Sequence, residues 1–354
     1  MQPIPFLTLN GDGPPLHFAH ANGYPPECYR PLLTELSAHY HVLAMHQRPL
    51  WPDAEPGSIN DWHPLTDDLF RFLDERDPGP VIGVGHSLGG IVTLRAALRQ
   101  PERFQALVLI DPVLFPPAMI AAMRLIRALG LSYRLHPLVQ GALRRRWVFE
   151  SRAELLKGYR RKSIFRYMSD ASLKAYVEGL TRPRPDGQHE LAYSPEWEAR
   201  IYVTGVWHDT DIWRGLPKLQ IPLLIIRGAE TDTFWASTAR QVKRKLPSAQ
   251  IVTLEKATHL VPLEQTGKVV EHIRNFTGSL SGAIMVAAPH STVEAATIIE
   301  DVRKLTAKAR PPTRRVLREE RGQANNKKTI ISRSRKRSND FSRSAKKRLK
   351  SPLQ

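Results

Sequence analysis

The sequence is poor in the features that mark several common classes of protein. Its 354 residues include a single cysteine, Cys28, which excludes an intramolecular disulfide. No run of about eighteen apolar residues occurs, so we expect no membrane-spanning helix. Cysteine and histidine residues at zinc-binding spacings are lacking, as are internal repeats. The segment MQPIPFLTLN has neither the charged start nor the long apolar run of a signal peptide, and a cytoplasmic protein is therefore expected.

Positive charge is concentrated in one part of the chain. Of the formal net charge of +18, residues 279–354 contribute +13, from 19 Lys and Arg against 6 Asp and Glu, and residues 1–278 contribute +5. The composition of this tail, with SRSRKRSND and SAKKRLK, predicts a largely disordered region. Such a tail favours binding to nucleic acid or an anionic surface, with the folded part as a scaffold, and this is the alternative function. Stacking on bases has little support, because Phe341 is the only aromatic residue in the last forty.

Short apolar runs alternate with longer helical patterns through most of the remaining sequence. The runs are LHFAH (16–20), HVLAMH (41–46), PVIGVGH (80–86), ALVLID (106–111), PLLIIRG (222–228) and AQIVTLE (249–255). Continuous apolar runs separated by helices predict an α/β fold, with a mostly parallel sheet that helices cover on both faces. Residues 112–216 interrupt the alternation with a helical pattern that lacks a convincing strand. They predict a helical cap over the C-terminal ends of the strands, and they leave residues 1–111 and 217–278 as the core.

The segment VIGVGHSLGGIVTL carries the strongest functional signal. It contains Gly85-His86-Ser87-Leu88-Gly89, a G-x-S-x-G sequence that follows an apolar strand and begins a helix. In that context the small residues permit a tight strand-to-helix turn, which exposes the serine hydroxyl as a nucleophile. The alternative is a glycine turn whose serine only caps the helix.

A serine hydroxyl needs a base at the same end of the sheet before it can act as a nucleophile. His259 has a suitable position, because it follows the last apolar strand by a few residues and precedes a helical stretch. None of the other histidines combines these two features. His86, beside the serine, is expected to make a packing or polar contact.

With its nucleophile elbow and its histidine after the final strand, the sequence over residues 5–278 resembles the α/β-hydrolase superfamily. The resemblance implies an oxyanion-hole loop after the strand that begins the core, where this chain has HANG (20–23). The implied donors are the backbone N–H groups of Leu88 and Asn22, and Ala21 stands where glycine is usual. An ordinary Asn-Gly turn is the alternative interpretation of this loop.

The resemblance also implies a triad acid, which follows either the strand after the cap or the strand before it. Asp232, in RGAETDTF, matches the commoner position, and Asp111, at the end of ALVLID, matches the less common one. We expect Asp232 to be the acid, with Asp111 second and Glu230 third. The aspartate that is not the acid is expected to be structural, with hydrogen bonds to loop N–H groups.

Together these residues predict a serine hydrolase that cleaves an ester or related acyl bond of a small, largely apolar substrate through an acyl-enzyme, with no metal or organic cofactor. Whether it is a carboxylesterase or a thioesterase stays open, as does its oligomeric state. The aromatic residues of the cap would form its core or line a substrate pocket: Trp147, Phe149, Phe165 and Tyr167. The basic segments RRRW (144–147) and GYRRKSIFR (158–166) are typical of a solvated helix face, and the alternative is attraction of an anionic substrate.

Overall fold

Ten strands form two sheets in the computed structural model, which describes residues 2–287 except for the side chains of residues 137 and 281–287. The strands are β1 (Phe6–Leu9), β2 (Pro15–Ala19), β3 (His41–Met45), β4 (Val81–His86), β5 (Phe104–Ile110), β6 (Val148–Phe149), β7 (Thr181–Pro183), β8 (His189–Leu191), β9 (Leu223–Gly228) and β10 (Gln250–Leu254). The main sheet has seven strands in the order β1-β3-β2-β4-β5-β9-β10. Only β1 runs antiparallel to its neighbour, so the predicted mostly parallel sheet is confirmed.

The five inner strands of the main sheet, β2, β3, β4, β5 and β9, are buried on both faces, as their apolar sequences require. In β5, Leu107 and Leu109 join one apolar cluster, whereas Val108 and Ile110 join another. Because successive side chains of a strand point to opposite faces, the two clusters lie on opposite faces of the sheet. The sequence pattern missed β1, a four-residue edge strand with only partly buried side chains.

Helices cover both apolar clusters. The described helices are α1 (Arg30–Ser37), α2 (His63–Arg76), α3 (Leu88–Arg99), α4 (Pro117–Ala128), α5 (Ser132–Leu135), α6 (Pro137–Leu143), α7 (Arg152–Arg160), α8 (Asp170–Leu180), α9 (Pro195–Thr204), α10 (Thr210–Gly215), α11 (Ala236–Lys245), α12 (Val261–Glu264) and α13 (Thr266–Ala287). Apolar residues of α2 and α3 belong to the cluster on one face, and those of α1 and α13 to the cluster on the other. None of these described helices is long and apolar enough to cross a membrane.

The last of the described helices, α13, continues beyond residue 278, where the sequence pattern predicted the folded core to end. One compact unit extends to Gly282, and a second begins at Ala283, of which the structure describes only the end of α13. The remainder of the predicted basic tail, from residue 288, lies outside the described residues.

Residues 112–216 form an insert between β5 and β9, at the position predicted for a cap. Besides helices α4 to α10, the insert contains the antiparallel sheet β6-β8-β7, which the sequence analysis did not predict. Strands of two or three residues are too short to give a period of two in the sequence. The insert contacts loops that follow strands of the main sheet: Trp62 donates a hydrogen bond to the Ile201 carbonyl at 3.1 Å, and Arg166 pairs with Glu230 at 2.5 Å.

Candidate active site

The order of the strands brings three loops to one edge of the main sheet. Strand β4 lies between β2 and β5, and all three are parallel, so their carboxyl ends meet. Ser87 follows β4, the segment 20–23 follows β2, and Asp111 follows β5. His259 comes from the loop after β10, which lies at the edge of the sheet.

Ser87 occupies a strained turn between β4 and α3. Its φ of 56° and ψ of −118° are unusual for a residue with a side chain. The turn is tight enough to require glycine on both sides. A Cβ on Gly85 would lie 2.5 Å from the Gly89 carbonyl oxygen, and one on Gly89 would lie 2.1 Å from the Ala19 carbonyl oxygen. The glycines of the G-x-S-x-G segment therefore permit the close backbone contacts that hold the serine in place.

A chain of two hydrogen bonds joins Ser87, His259 and Asp111. The Nε2 atom of His259 lies 2.9 Å from the hydroxyl oxygen of Ser87, and its Nδ1 atom lies 3.0 Å from a carboxylate oxygen of Asp111. A carboxylate only accepts, so Nδ1 carries the proton and Nε2 is free to accept from the serine. This is the tautomer that general-base chemistry on a serine requires.

Asp111 is held from several directions. Its side chain is fully buried, and its φ is 42°. One carboxylate oxygen accepts the Gly228 N–H at 2.9 Å, and the other accepts the Thr231 hydroxyl at 2.6 Å as well as the histidine. Since a buried carboxylate is costly without partners, these donors stabilise Asp111 in the position that orients His259.

Asp232 was expected to be the carboxylate that contacts His259, and it does not make this contact. Asp232 is exposed, and its carboxylate accepts a hydrogen bond from the Thr233 hydroxyl at 3.1 Å. Glu230 is also turned away, toward Arg166 and Tyr167 of the insert. The physical reason is that β5 is the immediate neighbour of β4, so the residue that ends β5 lies beside Ser87, where the imidazole of His259 also lies. Asp232 lies on the outer part of the loop after β9.

The loop 20–23 packs against the first turn of α3. The missing side chain of Gly89 leaves room for the carbonyl groups of Ala19 and His20. Asn22 is buried, and Gly23 adopts a positive φ of 78°, which glycine accommodates without strain. The Ala21 N–H already donates to the Tyr29 hydroxyl at 3.3 Å. The N–H of Leu88 is the first of its helix and has no acceptor within that helix.

A second hydrogen-bond chain runs behind the first one and was not foreseen from the sequence. The Tyr29 hydroxyl lies 2.7 Å from Nδ1 of His86, and Nε2 of His86 lies 2.9 Å from the carbonyl oxygen of His259. Because that carbonyl only accepts, Nε2 of His86 carries the proton and Nδ1 accepts from the tyrosine. Burial, together with the neighbouring His259, lowers the pKa of His86 well below its usual range. His86 therefore joins the loop of His259 to Tyr29, which also accepts from Ala21.

Comparison with known proteins identifies the family of this chain. The model of a family described as the alpha/beta hydrolase family matches residues 18–272, which is most of the chain. The chain belongs to the alpha/beta hydrolase family. The resemblance inferred from the nucleophile elbow and the late histidine is thereby confirmed, and the protein is an α/β-hydrolase.

Relatives in sequence include two kinds of hydrolase. The chain is 21% identical over 265 residues to an (E)-2-((N-methylformamido)methylene)succinate hydrolase of Acinetobacter baylyi, covering 73% of this chain and 88% of the relative. It is 35% identical over 117 residues to a type I acyl-CoA thioesterase of Penicillium roqueforti. That match spans 28% of this chain and 27% of the thioesterase.

Solved structures show the same fold. An E-2-(acetamidomethylene)succinate hydrolase is similar to this chain, with a TM-score of 0.62 and 20% sequence identity. The match covers 77% of this chain and 100% of the hydrolase. A thioesterase domain from the curacin biosynthetic pathway is similar with a TM-score of 0.61 and 16% identity, covering 76% of this chain and 94% of the domain. At these identities the likeness establishes the fold.

Proposed function

We propose that this α/β-hydrolase is a serine hydrolase that cleaves an ester or related acyl bond through an acyl-enzyme. Ser87 is the nucleophile, His259 the general base and Asp111 the triad acid. The observation that carries the proposal is the pair of hydrogen bonds, at 2.9 and 3.0 Å, that joins these three side chains. An ester, a thioester or a related acyl group meets the requirements of this chemistry, and no cofactor takes part in any step.

In the first step the Ser87 oxygen attacks the acyl carbon while Nε2 of His259 takes its proton. Asp111 holds the imidazole in the correct tautomer and stabilises the imidazolium that forms. The negative charge that develops on the carbonyl oxygen is bound by the backbone N–H groups of Leu88 and Asn22. The imidazolium then gives its proton to the leaving group, the bond to that group breaks, and an acyl-serine remains.

In the second step a water molecule attacks the acyl-serine. His259 removes a proton from the water, and the same two N–H groups bind the second oxyanion. When the bond to Ser87 breaks, His259 returns the proton to the serine oxygen, and the carboxylic acid product leaves. The active site is thereby restored.

His86 supports both steps as a positioning residue. Its hydrogen bond to the His259 carbonyl, at 2.9 Å, fixes the backbone of the loop that carries the base. The low pKa of His86 keeps its ring neutral at physiological pH, so no second positive charge opposes the imidazolium of His259. The insert acts as the cap, and the burial of Ser87, which is 5% exposed, agrees with a covered site.

The test of this proposal is an activity screen with p-nitrophenyl esters of graded acyl length. Ser87→Ala and His259→Ala are each expected to lower kcat by about a millionfold, and the double variant by no more than either single one, because the triad acts as a unit. Thermal unfolding of each variant checks that the fold is retained. A folded Ser87→Ala protein with nearly full activity would disprove the assignment of the nucleophile.

Two expectations from the sequence stay predictions. Binding of nucleic acid or an anionic surface through residues 279–354 concerns a segment that lies mostly outside the described residues. The cytoplasmic setting likewise rests on the sequence alone.

A further inference from the structure

Residues of the insert line an open cavity of about 460 Å³ with both apolar and cationic walls. Phe149, Leu155 and Tyr159 supply apolar and aromatic surface, and Arg145 and Lys162 supply positive charge. We call this cavity the cationic pocket. Its volume suits a small acyl or polar group. The basic segments that sequence analysis interpreted as a solvated helix face therefore contribute side chains to a concave site.

The charges around the cationic pocket do not balance. Arg145 pairs with the buried Glu198 at 2.9 Å, and Arg146 pairs with Glu154 on the same wall. Lys162 has no carboxylate partner among the described residues, since none lies within ion-pair distance of its ammonium group. That group packs over the Tyr159 ring, 4.5 Å from the ring centroid. Lys162 is exposed on the lining of the pocket, where its charge can pair with an anion that enters.

Two further features favour an anion at this place. Partial burial, together with the nearby Arg145, lowers the pKa of Lys162, as expected where two cations face one cavity. The contact with Glu198 joins Nη1 of Arg145 to one carboxylate oxygen at 2.9 Å, and a guanidinium has five N–H donors, more than a single contact uses. A carboxylate or phosphate oxygen is the acceptor that such donors bind best.

Glu198 lines the cationic pocket and also contacts the loop 20–23 of the candidate active site. The side-chain amide of Asn22 donates to the Glu198 carbonyl at 3.2 Å, and a Cβ on Gly23 would lie 3.5 Å from the Glu198 carboxyl carbon. On the same loop, the Tyr24 ring lies 6.5 Å from the ring of His86, the residue before Ser87. A substrate whose carbonyl is held by the 20–23 loop would have the cationic pocket close by.

We propose that the cationic pocket binds an anionic group, a carboxylate or a phosphate, on the substrate of the hydrolase, and that Arg145 and Lys162 recognise it. This inference rests on the proposed function, because it names the class of substrate that Ser87 attacks. The anion restores the charge balance of the pocket, while the apolar wall holds the chain between the anion and the acyl group.

The experiment compares esters that differ only in charge. The p-nitrophenyl esters of pentanoic acid and of glutaric acid, the latter with a free carboxylate, have acyl chains of equal length. We expect the wild-type protein to prefer the glutarate ester, mainly through a lower KM. Arg145→Met and Lys162→Met should each lower kcat/KM for the glutarate by about tenfold to a hundredfold, as for a lost hydrogen bond to a charged group. In Lys162→Met the pentanoate should change by less than about threefold, because it makes no such bond.

The second arm identifies the source of the anion. Acetyl-coenzyme A carries phosphates on its leaving group, whereas the acetyl thioester of N-acetylcysteamine is its neutral counterpart. If the pocket binds phosphate, the preference for the charged substrate, and its loss in both variants, will appear in this pair and not with the glutarate ester. Either pattern supports recognition of an anion.

Matched controls distinguish a local effect from a general one. Arg144→Met removes the same charge from an exposed neighbour that does not line the pocket, and it should leave both pairs of substrates unchanged. Because Arg145→Met leaves Glu198 without its partner, Lys162→Met provides a variant that keeps the buried pair intact.

This inference would be overturned if the wild-type protein had equal kcat/KM values for the charged and the neutral substrates. It would also be overturned if Arg145→Met and Lys162→Met each lowered kcat/KM equally for both kinds of substrate. If Ser87→Ala still abolishes hydrolysis of the neutral ester in that case, the proposed function stands and only the anion site fails. If Ser87→Ala remains active, the proposed function itself fails.

Discussion

The loop after β5 and the loop after β9 both carry an aspartate, yet the two side chains have opposite surroundings. Strands β5 and β9 are neighbours in the sheet, and both are continuous apolar runs. Asp111 is fully buried and contacts His259, whereas Asp232 is exposed and contacts Thr233. Two aspartates that each follow a strand are thus candidates for the triad acid, and the path of each loop decides which one contacts His259.

The second loop also serves the first. The Gly228 N–H and the Thr231 hydroxyl, both from the end of β9 and its loop, donate to the carboxylate of Asp111. The loop that was expected to supply the acid instead supplies the donors that fix it. The comparison can be tested by substituting each aspartate in turn, and then the threonine that donates to it, Thr231 for Asp111 and Thr233 for Asp232.

The largest effect is expected from Asp111→Asn. An amide at this position donates toward Nδ1 of His259 and favours the tautomer whose Nε2 cannot accept the serine proton, so kcat should fall by about ten-thousandfold. The measurement is kcat on the best ester from the screen. If folded Asp111→Asn protein loses less than about tenfold, Asp111 is not the triad acid. Thermal unfolding is needed alongside, since the buried carboxylate also accepts from three other donors, the Gly228 and Phe234 N–H groups and the Thr231 hydroxyl.

How far the sequence could predict this site depends on whether a residue has a local signal. Ser87 and His259 have one, because each follows an apolar strand and precedes a helix in a recognisable segment. Six of the seven strands of the main sheet are likewise visible as apolar runs. The two aspartates have equivalent local patterns, and only the three-dimensional packing of β4 against β5 distinguishes them.

The sequence predicted a packing or polar contact for His86 but gave no local signal for its partners, Tyr29 and the His259 carbonyl. The hydrogen bonds involved join residues that are 57 and 173 positions apart in the chain. The cationic pocket was only partly foreseeable, since its basic residues are evident from composition but the cavity between α6, α7 and α9 is not.

An intermediate effect is expected from Thr231→Val. The change removes the hydroxyl that donates to Asp111 at 2.6 Å and leaves a side chain of nearly equal volume. A lost hydrogen bond to a charged group predicts a fall in kcat of about tenfold, because Asp111 then holds His259 less firmly. Thr233→Val is the matched control, since the same change there removes a hydroxyl that donates to the exposed Asp232. Equal losses in the two variants would contradict a specific role for Thr231.

The smallest effect is expected from Asp232→Asn. Its carboxylate is exposed and accepts only a hydrogen bond from the adjacent threonine, and contacts of that kind contribute little to stability. We expect kcat to change by less than about threefold and the melting temperature to stay the same within about two degrees. The same substitution in the Asp111→Asn background should add nothing further, because the two side chains share no partner. A loss of about a thousandfold or more in Asp232→Asn, with Asp111→Asn retaining activity, would reverse the assignment and mean that the loop after β9 moves to supply the acid during catalysis.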